Sequence, residues 1–262
     1  MVSNLPPLSE IQAITIAAGA QILPFFHAPA EKDNIELKSD NSPVTEADLA
    51  AHEYLCGELK RLTPGLRILS EEGVGTPDVN DAPFWLVDPL DGTREFLRRS
   101  VEFTVNVALI QEGRPTLSVV ACPALSLCYC AELGKGAWRG NAQGERMPLK
   151  TRPYNQKSSI CYVSRTQGQA TAAKVRTRWP QAELRPASSA IKLCWMAEGQ
   201  ADFYFREHPS MGWDTAAPDL ILWEAGGRLT DLHGKPLTYL AHAAANPAWV
   251  AMGDPTFDWK RF

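Results

Sequence analysis

The middle of the chain, between residues 103 and 140, carries the period of β-strands and limits the possible folds more than any other stretch. Over 103–109 every second residue is large and apolar, as in a half-buried strand. Glu112-Gly113 then turns the chain into a second apolar strand at 116–121, and a third follows at 127–131. Adjacent strands joined by short turns predict an antiparallel meander.

Two helices are predicted before this meander. A capping box at 9–12 opens an apolar-periodic run, which predicts a helix over about 10–23 that is stopped by Pro24. The polar residues 28–43 predict a loop. A second capping box at 45–48 opens another helix. The apolar stripe of that helix consists of Ala51, Leu55, Leu59 and Leu62.

After residue 158 the pattern alternates between strands and helices. It predicts strands at 159–164 and 201–205, and helices at 169–179, 189–198 and 215–225. We therefore expect an α/β (α+β) fold with an N-terminal lobe (1–155) and a C-terminal α/β lobe (156–262). A cleft between two lobes is where small ligands usually bind, so the active site is expected there.

The composition favours a folded protein with a small anionic substrate. Hydrophobic residues make up 45% of the 262 residues and charged residues 21%, which is enough for a substantial core. The net charge is −4 and the isoelectric point is near 5.8. This charge argues against binding of a nucleic acid polymer, which needs a basic face. A small phosphorylated substrate fits if local Lys, Arg or metal ions offset the charge.

The N-terminus and the cysteines indicate a cytoplasmic protein. The first 26 residues have no basic segment before their apolar residues, so they do not predict a signal peptide. No apolar stretch was expected to be long enough to cross a bilayer. The cysteines form no CxxC pair, which favours reduced structural thiols over a zinc or redox site. They are Cys56, Cys122, Cys128, Cys130, Cys161 and Cys194.

Acidic residues stand at the ends of several predicted elements, namely Glu71, Asp88, Asp91 and Asp214. Hard cations such as Mg²⁺ take oxygen ligands and use few carboxylates, together with water and substrate phosphate. Asp88 and Asp91 can face one ion or two adjacent ions, because the Pro-Leu spacer folds back on itself. The carbonyl of Leu90 would then point inward as a further oxygen ligand.

The residues after Asp91 provide the other half of a phosphate site. Gly92, Thr93 and Arg94 have the form of the first turn of a helix. Unpaired N–H groups and the positive end of the helix dipole would meet a phosphate there. A metal on one side and helix amides on the other would clamp the phosphate.

Each acidic feature has a simpler interpretation when it stands alone. A DPxDG segment is usually a turn, Asp214 an N-cap, Asp48 half of a capping box, and Glu71-Glu72 solvated surface. Two rival motifs fail: a haloacid-dehalogenase-type nucleophile needs a second Asp two residues later, and an EF-hand needs alternating oxygen ligands. The simple interpretations weaken only when the acidic residues are taken together with Asp-Gly-Thr.

Seven segments of the chain carry a resemblance to a known family: DNSPVTEAD (40–48), ILSEE (68–72), DPLDGTREF (88–96), EFTVNVALI (102–110), AEGQAD (197–202), WDTAA (213–217) and GKPL (234–237). Taken together, they resemble the inositol monophosphatase superfamily of Mg²⁺-dependent, lithium-sensitive phosphatases. The finer resemblance is to its CysQ-type 3′(2′),5′-bisphosphate nucleotidase branch, and it spans nearly the whole chain. The resemblance implies a layered αβαβα sandwich and a role beside sulfate assimilation.

The resemblance implies two Mg²⁺ ions and allows a third near Glu71. Glu71, Asp88 and the Leu90 carbonyl would bind the first ion. Asp88, Asp91 and Asp214 would bind the second. Through these ions Glu71, Leu90, Asp91 and Asp214 would also contact the substrate.

The resemblance also implies catalytic and substrate-binding roles. Asp48 and Thr93 would orient the attacking water, with Glu71 as a third catalytic residue. The backbone amides of Gly92 and Thr93 would hold the scissile phosphate. Four further residues would lie on the substrate side, the last of them facing the phosphate that is not cleaved: Lys38, Ser189, Lys192 and Arg206.

Three departures from the family pattern concern the substrate rather than the metals. Pro218-Asp219 follows WDTAA where a glycine is usual, Ser188 stands where a glycine is common, and His208 alters the segment before Trp213. Pro218 was expected in the first helical turn, where a missing N–H does little harm.

The leading hypothesis is a phosphatase that converts adenosine 3′,5′-bisphosphate to AMP and phosphate. An inositol-phosphate or sugar-phosphate phosphatase is the enzymatic alternative. A catalytically silent phosphate-binding protein is disfavoured, because every expected ligand is present. The sequence leaves open whether the protein is a monomer or a homodimer, and whether it attaches peripherally to the inner membrane.

Overall fold

The computed structural model of the chain describes residues 5–29, 35–37, 43–73, 82–141, 144–166, 168–240 and 245–261. The α-helices in these residues are α1 (Leu8–His27), α2 (Glu46–Leu62), α3 (Thr93–Leu97), α4 (Gln169–Arg178), α5 (Ile191–Ala197) and α6 (Gly212–Glu224). The strands are β1 (Ile35–Leu37), β2 (Pro43–Thr45), β3 (Arg67–Ser70), β4 (Phe84–Asp91), β5 (Thr104–Gln111), β6 (Arg114–Cys122), β7 (Leu127–Glu132), β8 (Gly136–Gly140), β9 (Arg146–Pro148), β10 (Ile160–Ser164), β11 (Glu183–Ala187), β12 (Phe203–Arg206), β13 (Ser210–Met211), β14 (Arg228–Asp231), β15 (Ala245–Asn246) and β16 (Trp249–Met252).

Two large sheets organise the described chain. The first has seven strands in the order β3 to β9, and it is the predicted meander extended by a parallel pair, β3 and β4, at one edge. The second has the order β11-β10-β12-β16-β14, with β10 parallel to β11 and β12, and β16 antiparallel to β12 and β14. The N-terminal half thus supplies the first sheet and the C-terminal half supplies the second.

Helices cover these sheets to give five layers. Helices α1 and α2 bury one face of the seven-stranded sheet. Helices α5 and α6 lie between the other face and the second sheet, and they share one apolar core with both. Helix α4 packs on the outer face of the second sheet. The predicted αβαβα layering is confirmed.

Helix α1 differs from its prediction at both ends. It starts at Leu8 after Pro7, with no side-chain cap, and it continues through Pro24 to His27. Proline removes one helical hydrogen bond, but the helix continues beyond it to Phe26, whose ring centroid lies 4.9 Å from that of Phe103. Contrary to the expectation, α1 is also, among the described residues, a helix whose length and apolar composition would suffice to cross a membrane. Its buried face packs on the sheet and on α2.

Several other elements also depart from the sequence pattern. Residues 35–37 were expected in a loop, but they pair with 43–45 as a two-stranded ribbon. In the second sheet, the sequence did not predict the two edge strands β11 and β14 or the inner strand β16. Short apolar runs do not distinguish strands from helices or loops, and only pairing with distant strands defines them.

Candidate metal centre and active site

An irregular pairing at the end of β4 brings two carboxylates to one face of the sheet. Asp88 pairs with Asn106 of β5, whereas Asp91 pairs with Thr104, so three steps on β4 oppose two steps on β5. Residues three apart on a regular strand point to opposite faces. The extra residue of this bulge lets Asp91 face the same side as Asp88. Pro89 lies within the bulge, where its missing N–H costs no ladder hydrogen bond.

Leu90 lies in the same bulge with its side chain turned away from the carboxylates. The side chain is buried in the core under α1 and α2. Its N–H donates to Asp88 Oδ1 at 3.1 Å, and its carbonyl accepts from the Thr93 hydroxyl at 3.2 Å. Leu90 therefore contacts Asp88 and Thr93 through its backbone, and its role as a metal ligand stays a prediction.

Two more carboxylates arrive from other elements. Glu71 directly follows β3, which runs parallel to β4 beside it. Asp214 lies in the first turn of α6, where its Oδ2 accepts from the N–H of Met211 at 3.0 Å. Carboxylate oxygens of Glu71, Asp88 and Asp214 all lie within 4.8 Å of one another. The expectation that Asp214 precedes its helix was wrong, because α6 begins at Gly212.

The crowding and burial of these acids raise the pKa of two of them. Burial raises the pKa of Asp88 well above its usual value, and the charges of Glu71, Asp91 and Asp214 raise it further. Burial and then the charge of Asp91 raise the pKa of Asp214 to about 7. At neutral pH the cluster therefore favours a bound proton or a cation over full ionisation. Oxygen donors at this spacing fit a hard divalent cation.

Asp91 is also held from the C-terminal half of the chain. Its Oδ2 accepts a hydrogen bond from the N–H of Ala190. Burial raises the pKa of Asp91, whereas Lys192, the Ala190 N–H and the nearby Asn106 amide oppose that rise. The Asn106 amide favours the ionised carboxylate from nearby, although neither amide atom reaches hydrogen-bond geometry. Asp91 thus joins the metal cluster to the segment before α5.

Thr93 and Asp48 form a polar pair next to the cluster. The capping box predicted at 45–48 is present: Asp48 Oδ2 accepts from the N–H of Thr45 at 2.8 Å and from its hydroxyl at 2.6 Å. The other oxygen, Oδ1, lies 3.2 Å from the Thr93 hydroxyl. Burial raises the pKa of Asp48 to about 6, although its hydrogen bonds oppose the rise. The hydroxyl has one hydrogen, shared between Asp48 and the Leu90 carbonyl.

Gly92 allows the chain to turn from β4 into α3. Its φ is +93°, a conformation that favours glycine. A Cβ at this position would lie 2.9 Å from the Glu102 carbonyl oxygen and 3.1 Å from Ser189 Cβ. Helix α3 then starts at Thr93, as predicted.

Three acidic side chains hold the segment 188–190 against the site. Ser188 donates its hydroxyl to Glu95 at 3.0 Å and its N–H to Glu102 at 2.8 Å, in addition to the Ala190–Asp91 bond. Glu102 also pairs with Arg165, whose Nε lies 3.0 Å away. Glu95, Glu102 and Arg165 were missed by the sequence analysis. The signal for Glu95 and Glu102 was their place in the DPLDGTREF and EFTVNVALI segments, and no sequence pattern indicated Arg165.

Three of the residues expected on the substrate side lie on this segment, in the first turn of α5 and on β12. Ser189 was expected in a helix, but its φ is +48° and α5 begins two residues later. Lys192 donates to the Ser189 carbonyl and lies 5.0 Å from the centroid of the Tyr204 ring. Arg206 is the last residue of β12, and its charge partly opposes the rise in the pKa of Asp214. Lys38 lies outside the described residues.

The fold and the acidic cluster together define a class of protein that can bind a divalent cation and a phosphate. A five-layer αβαβα fold brings carboxylates from β3, β4 and α6 together at the ends of two parallel strands, beside the start of α3. The ends of parallel strands are a usual place for ligand binding. Clustered acids beside a helix start can hold a divalent cation together with a phosphate.

Comparison with known proteins identifies the family. The model of the inositol monophosphatase family matches residues 7–254, and the chain belongs to this family, whose members are metal-dependent phosphatases. The 3′(2′),5′-bisphosphate nucleotidase CysQ of Escherichia coli K12 is 38% identical over 234 residues, which cover 88% of this chain and 93% of that protein. The protein of the same name from Haemophilus influenzae is 32% identical over 258 residues, 97% of this chain and 95% of its own.

Solved structures agree with this assignment. The crystal structure of CysQ from Bacteroides thetaiotaomicron, described as a bacterial member of the inositol monophosphatase family, has a TM-score of 0.78 and 32% identity, and covers 94% of this chain and 96% of its own. A Thermotoga maritima IMPase shares the fold with a TM-score of 0.79 at 24% identity, covering 94% and 91%.

Proposed function

We propose that the protein hydrolyses the 3′-phosphate of adenosine 3′,5′-bisphosphate to give AMP and phosphate. The observation that carries this proposal is the convergence of Glu71, Asp88 and Asp214 beside the Thr93–Asp48 pair. It occurs in a chain similar over most of its length to 3′(2′),5′-bisphosphate nucleotidases. The family supports the phosphatase chemistry, and those relatives support the nucleotide substrate.

The carboxylates would hold two Mg²⁺ ions, with room for a third near Glu71. Glu71, Asp88 and the Leu90 carbonyl form one donor set, and Asp88, Asp91 and Asp214 form the other. The donor atoms are all oxygens, as Mg²⁺ requires. When bound, the ions supply positive charge to the phosphoryl oxygens and make a coordinated water more acidic.

Thr93 and Asp48 would aim the attacking water. The carboxylate of Asp48 is fixed by its two bonds from Thr45. When the Thr93 hydroxyl donates its single hydrogen to Asp48 or to Leu90, its oxygen remains free to accept from a water. That bond would turn a lone pair of the water towards phosphorus. Positioning and charge neutralisation are most of what phosphoryl transfer requires.

The first backbone N–H groups of the turn into α3 would hold the scissile phosphate. The N–H groups at the start of a helix have no partner within that helix. Gly92 and Thr93 place such groups beside Asp91. We therefore propose direct attack by water, without a covalent phospho-enzyme.

Arg206 and Lys192 would bind the phosphate that is not cleaved. Arg206 lines a small pocket with Tyr204 and Ser164 at the end of β12. The Arg206 Nε and the Tyr204 hydroxyl are both buried without a hydrogen-bond partner in the described part of the chain. Both groups would donate to a phosphate at the end of β12, and the Lys192 ammonium lies 5.0 Å from the centroid of the same Tyr204 ring.

Phosphate release from a small substrate panel tests the proposal. Adenosine 3′,5′-bisphosphate, inositol 1-phosphate and a sugar monophosphate are each supplied with Mg²⁺, with and without Li⁺. We expect the bisphosphate to be hydrolysed fastest, and Li⁺ to inhibit its hydrolysis. Faster turnover of inositol 1-phosphate would support the alternative substrate class instead.

A further inference from the structure

Two polar side chains on β5 face the carboxylates of β4. Asn106 is paired in register with Asp88, and Thr104 with Asp91. Directly paired residues of antiparallel strands place their side chains on the same face. Asn106 and Thr104 therefore lie on the face that carries the proposed metal ligands.

Both side chains are buried without a hydrogen-bond partner. Asn106 is 1% exposed and Thr104 is fully buried. Neither amide atom of Asn106, nor the hydroxyl of Thr104, has a hydrogen-bond partner in the described part of the chain. Buried polar atoms in folded proteins are nearly always paired, so each unpaired atom calls for an explanation.

A loaded metal site would supply the missing partners. Each carboxylate oxygen can accept more than one hydrogen bond, so Asp88 and Asp91 keep acceptor capacity beside the Leu90 and Ala190 N–H groups that already donate to them, and ligating carboxylates are usually oriented by such bonds. Asn106 carries two N–H donors and Thr104 one O–H donor. Each lies opposite one of the two carboxylates.

We propose that Asn106 and Thr104 are positioning residues that donate hydrogen bonds to the carboxylates of Asp88 and Asp91 in the metal-loaded protein. They would fix the angle of each carboxylate and so raise the affinity for divalent cations. This inference rests on the metal site of the proposed function, but not on the identity of the substrate.

Ser118 on β6 provides a matched control. It is fully buried, and its hydroxyl is also unpaired in the described chain. It pairs with Ala108, on the same face of the sheet, rather than with a carboxylate. Loss of its hydroxyl removes an equivalent buried group without touching the proposed ligands.

The test measures Mn²⁺ binding to the chelator-stripped full chain by electron paramagnetic resonance. Asn106→Leu and Thr104→Val remove the donors at similar side-chain volume, and Thr104→Ser restores a hydroxyl. We expect the first two to weaken Mn²⁺ binding about tenfold or more. Thr104→Ser and Ser118→Ala should bind Mn²⁺ nearly as the wild type does. The urea midpoint of the metal-free protein should stay level or rise in both weakened variants, because an unpaired polar group has been removed.

The possible outcomes separate this inference from the proposed function. If wild type binds Mn²⁺ and Thr104→Val binds it equally well, the positioning role is wrong and the proposed function stands. The same holds if Ser118→Ala weakens binding as much as Thr104→Val. If wild type does not bind Mn²⁺ at all, both fail. Should Asn106→Leu not fold, the Thr104 pair still decides the question.

Discussion

At the scale of single residues, the site depends on charges that oppose one another. One carboxylate oxygen from each of Glu71, Asp88 and Asp214 lies within 4.8 Å of the other two. Burial together with mutual repulsion raises the pKa of Asp88 and Asp214. Such a cluster is unfavourable by itself and favourable around a cation. Its retention in a folded chain is what a metal-dependent mechanism requires.

Replacement of Asp91 by Asn is expected to separate activity from stability. Asn keeps an oxygen that can accept from the Ala190 N–H, but it removes a charge from the cluster. Turnover with Mg²⁺ should fall by roughly 10²-fold or more, because a metal ion supplies several kcal/mol of transition-state stabilisation. Urea unfolding in the presence of a chelator should show equal or greater stability. The control is Glu72→Gln, which removes a neighbouring charge but no proposed ligand, and it should keep near-normal turnover. If Asp91→Asn also kept near-normal turnover, the two-metal interpretation would be wrong.

The Thr93 hydroxyl can be tested by a pair of variants. Thr93→Val keeps the shape of the side chain but loses the oxygen that faces Asp48 and the Leu90 carbonyl. We expect kcat to fall by about 10²-fold or more, since aiming the water is lost. Thr93→Ser should retain most of the activity. A loss in Thr93→Ser as large as or larger than that in Thr93→Val would contradict the role given to the hydroxyl.

At the scale of elements, turns and bulges do most to assemble the site. The bulge in β4 places Asp91 beside Asp88, and the positive φ of Gly92 starts α3 directly after it. The segment 188–190 then closes over Gly92 through Glu95 and Glu102. The catalytic groups are therefore fixed by the ends of elements that are themselves well packed.

Gly92→Ala is expected to damage this junction, and Gly134→Ala provides its control. Both glycines have positive φ, +93° and +75°, so both variants carry the same conformational strain of about 1–2 kcal/mol. Only at Gly92 would the new Cβ meet backbone, 2.9 Å from the Glu102 oxygen, whereas nothing lies within 4 Å at Gly134. Chemical denaturation should show a larger loss for Gly92→Ala, and its turnover should fall. Equal losses of stability would mean that Glu102 and the segment 188–190 move away from the new Cβ at little cost in free energy.

The sequence predicts best those elements whose signals are local. The capping box at Thr45 and Asp48 depends on residues three apart, and the meander depends on alternation, and both were predicted correctly. The capping box predicted at 9–12 was wrong, because α1 already begins at Leu8 after Pro7. The bulge was not predicted, because only the register with β5 shows that Asp91 faces Thr104.

Long-range contacts account for the other errors at this scale. The contacts of Glu95 and Glu102 with Ser188 join positions about ninety residues apart, which one sequence cannot indicate.

Pro218 lies in the second turn of α6 rather than the first, since the helix starts at Gly212. There it removes the helical N–H that would otherwise bond the Asp214 carbonyl.

At the scale of the whole molecule, cation binding and folding should be linked. The α6 layer, which carries Asp214, packs between both sheets, so ions that join Asp214 to Asp88 would tie these layers together. A ligand that binds only the folded state stabilises it. We therefore expect Mg²⁺ to raise the melting temperature.

This stabilisation is expected to grow with pH. The pKa values of Asp214, about 7, and Asp48, about 6, lie above the usual 3.8, so the folded metal-free protein binds more protons than the unfolded chain. Their contribution to stability is greatest below about pH 4 and is lost as the pH rises towards 7. Urea unfolding at pH 5 and pH 7.5, with a chelator or with Mg²⁺, should show a larger Mg²⁺ effect at the higher pH. NaCl of equal ionic strength should not reproduce it, and an Mg²⁺ effect that is equal at both pH values would argue against the linkage.

The most direct test of the account is a crystal structure of the protein grown with Mn²⁺, with anomalous scattering recorded. We predict anomalous peaks within coordination distance of Glu71, Asp88, Asp91 and Asp214, with the carbonyl of Leu90 as a further ligand. Absence of any peak at these carboxylates, or peaks only elsewhere on the protein, would contradict it.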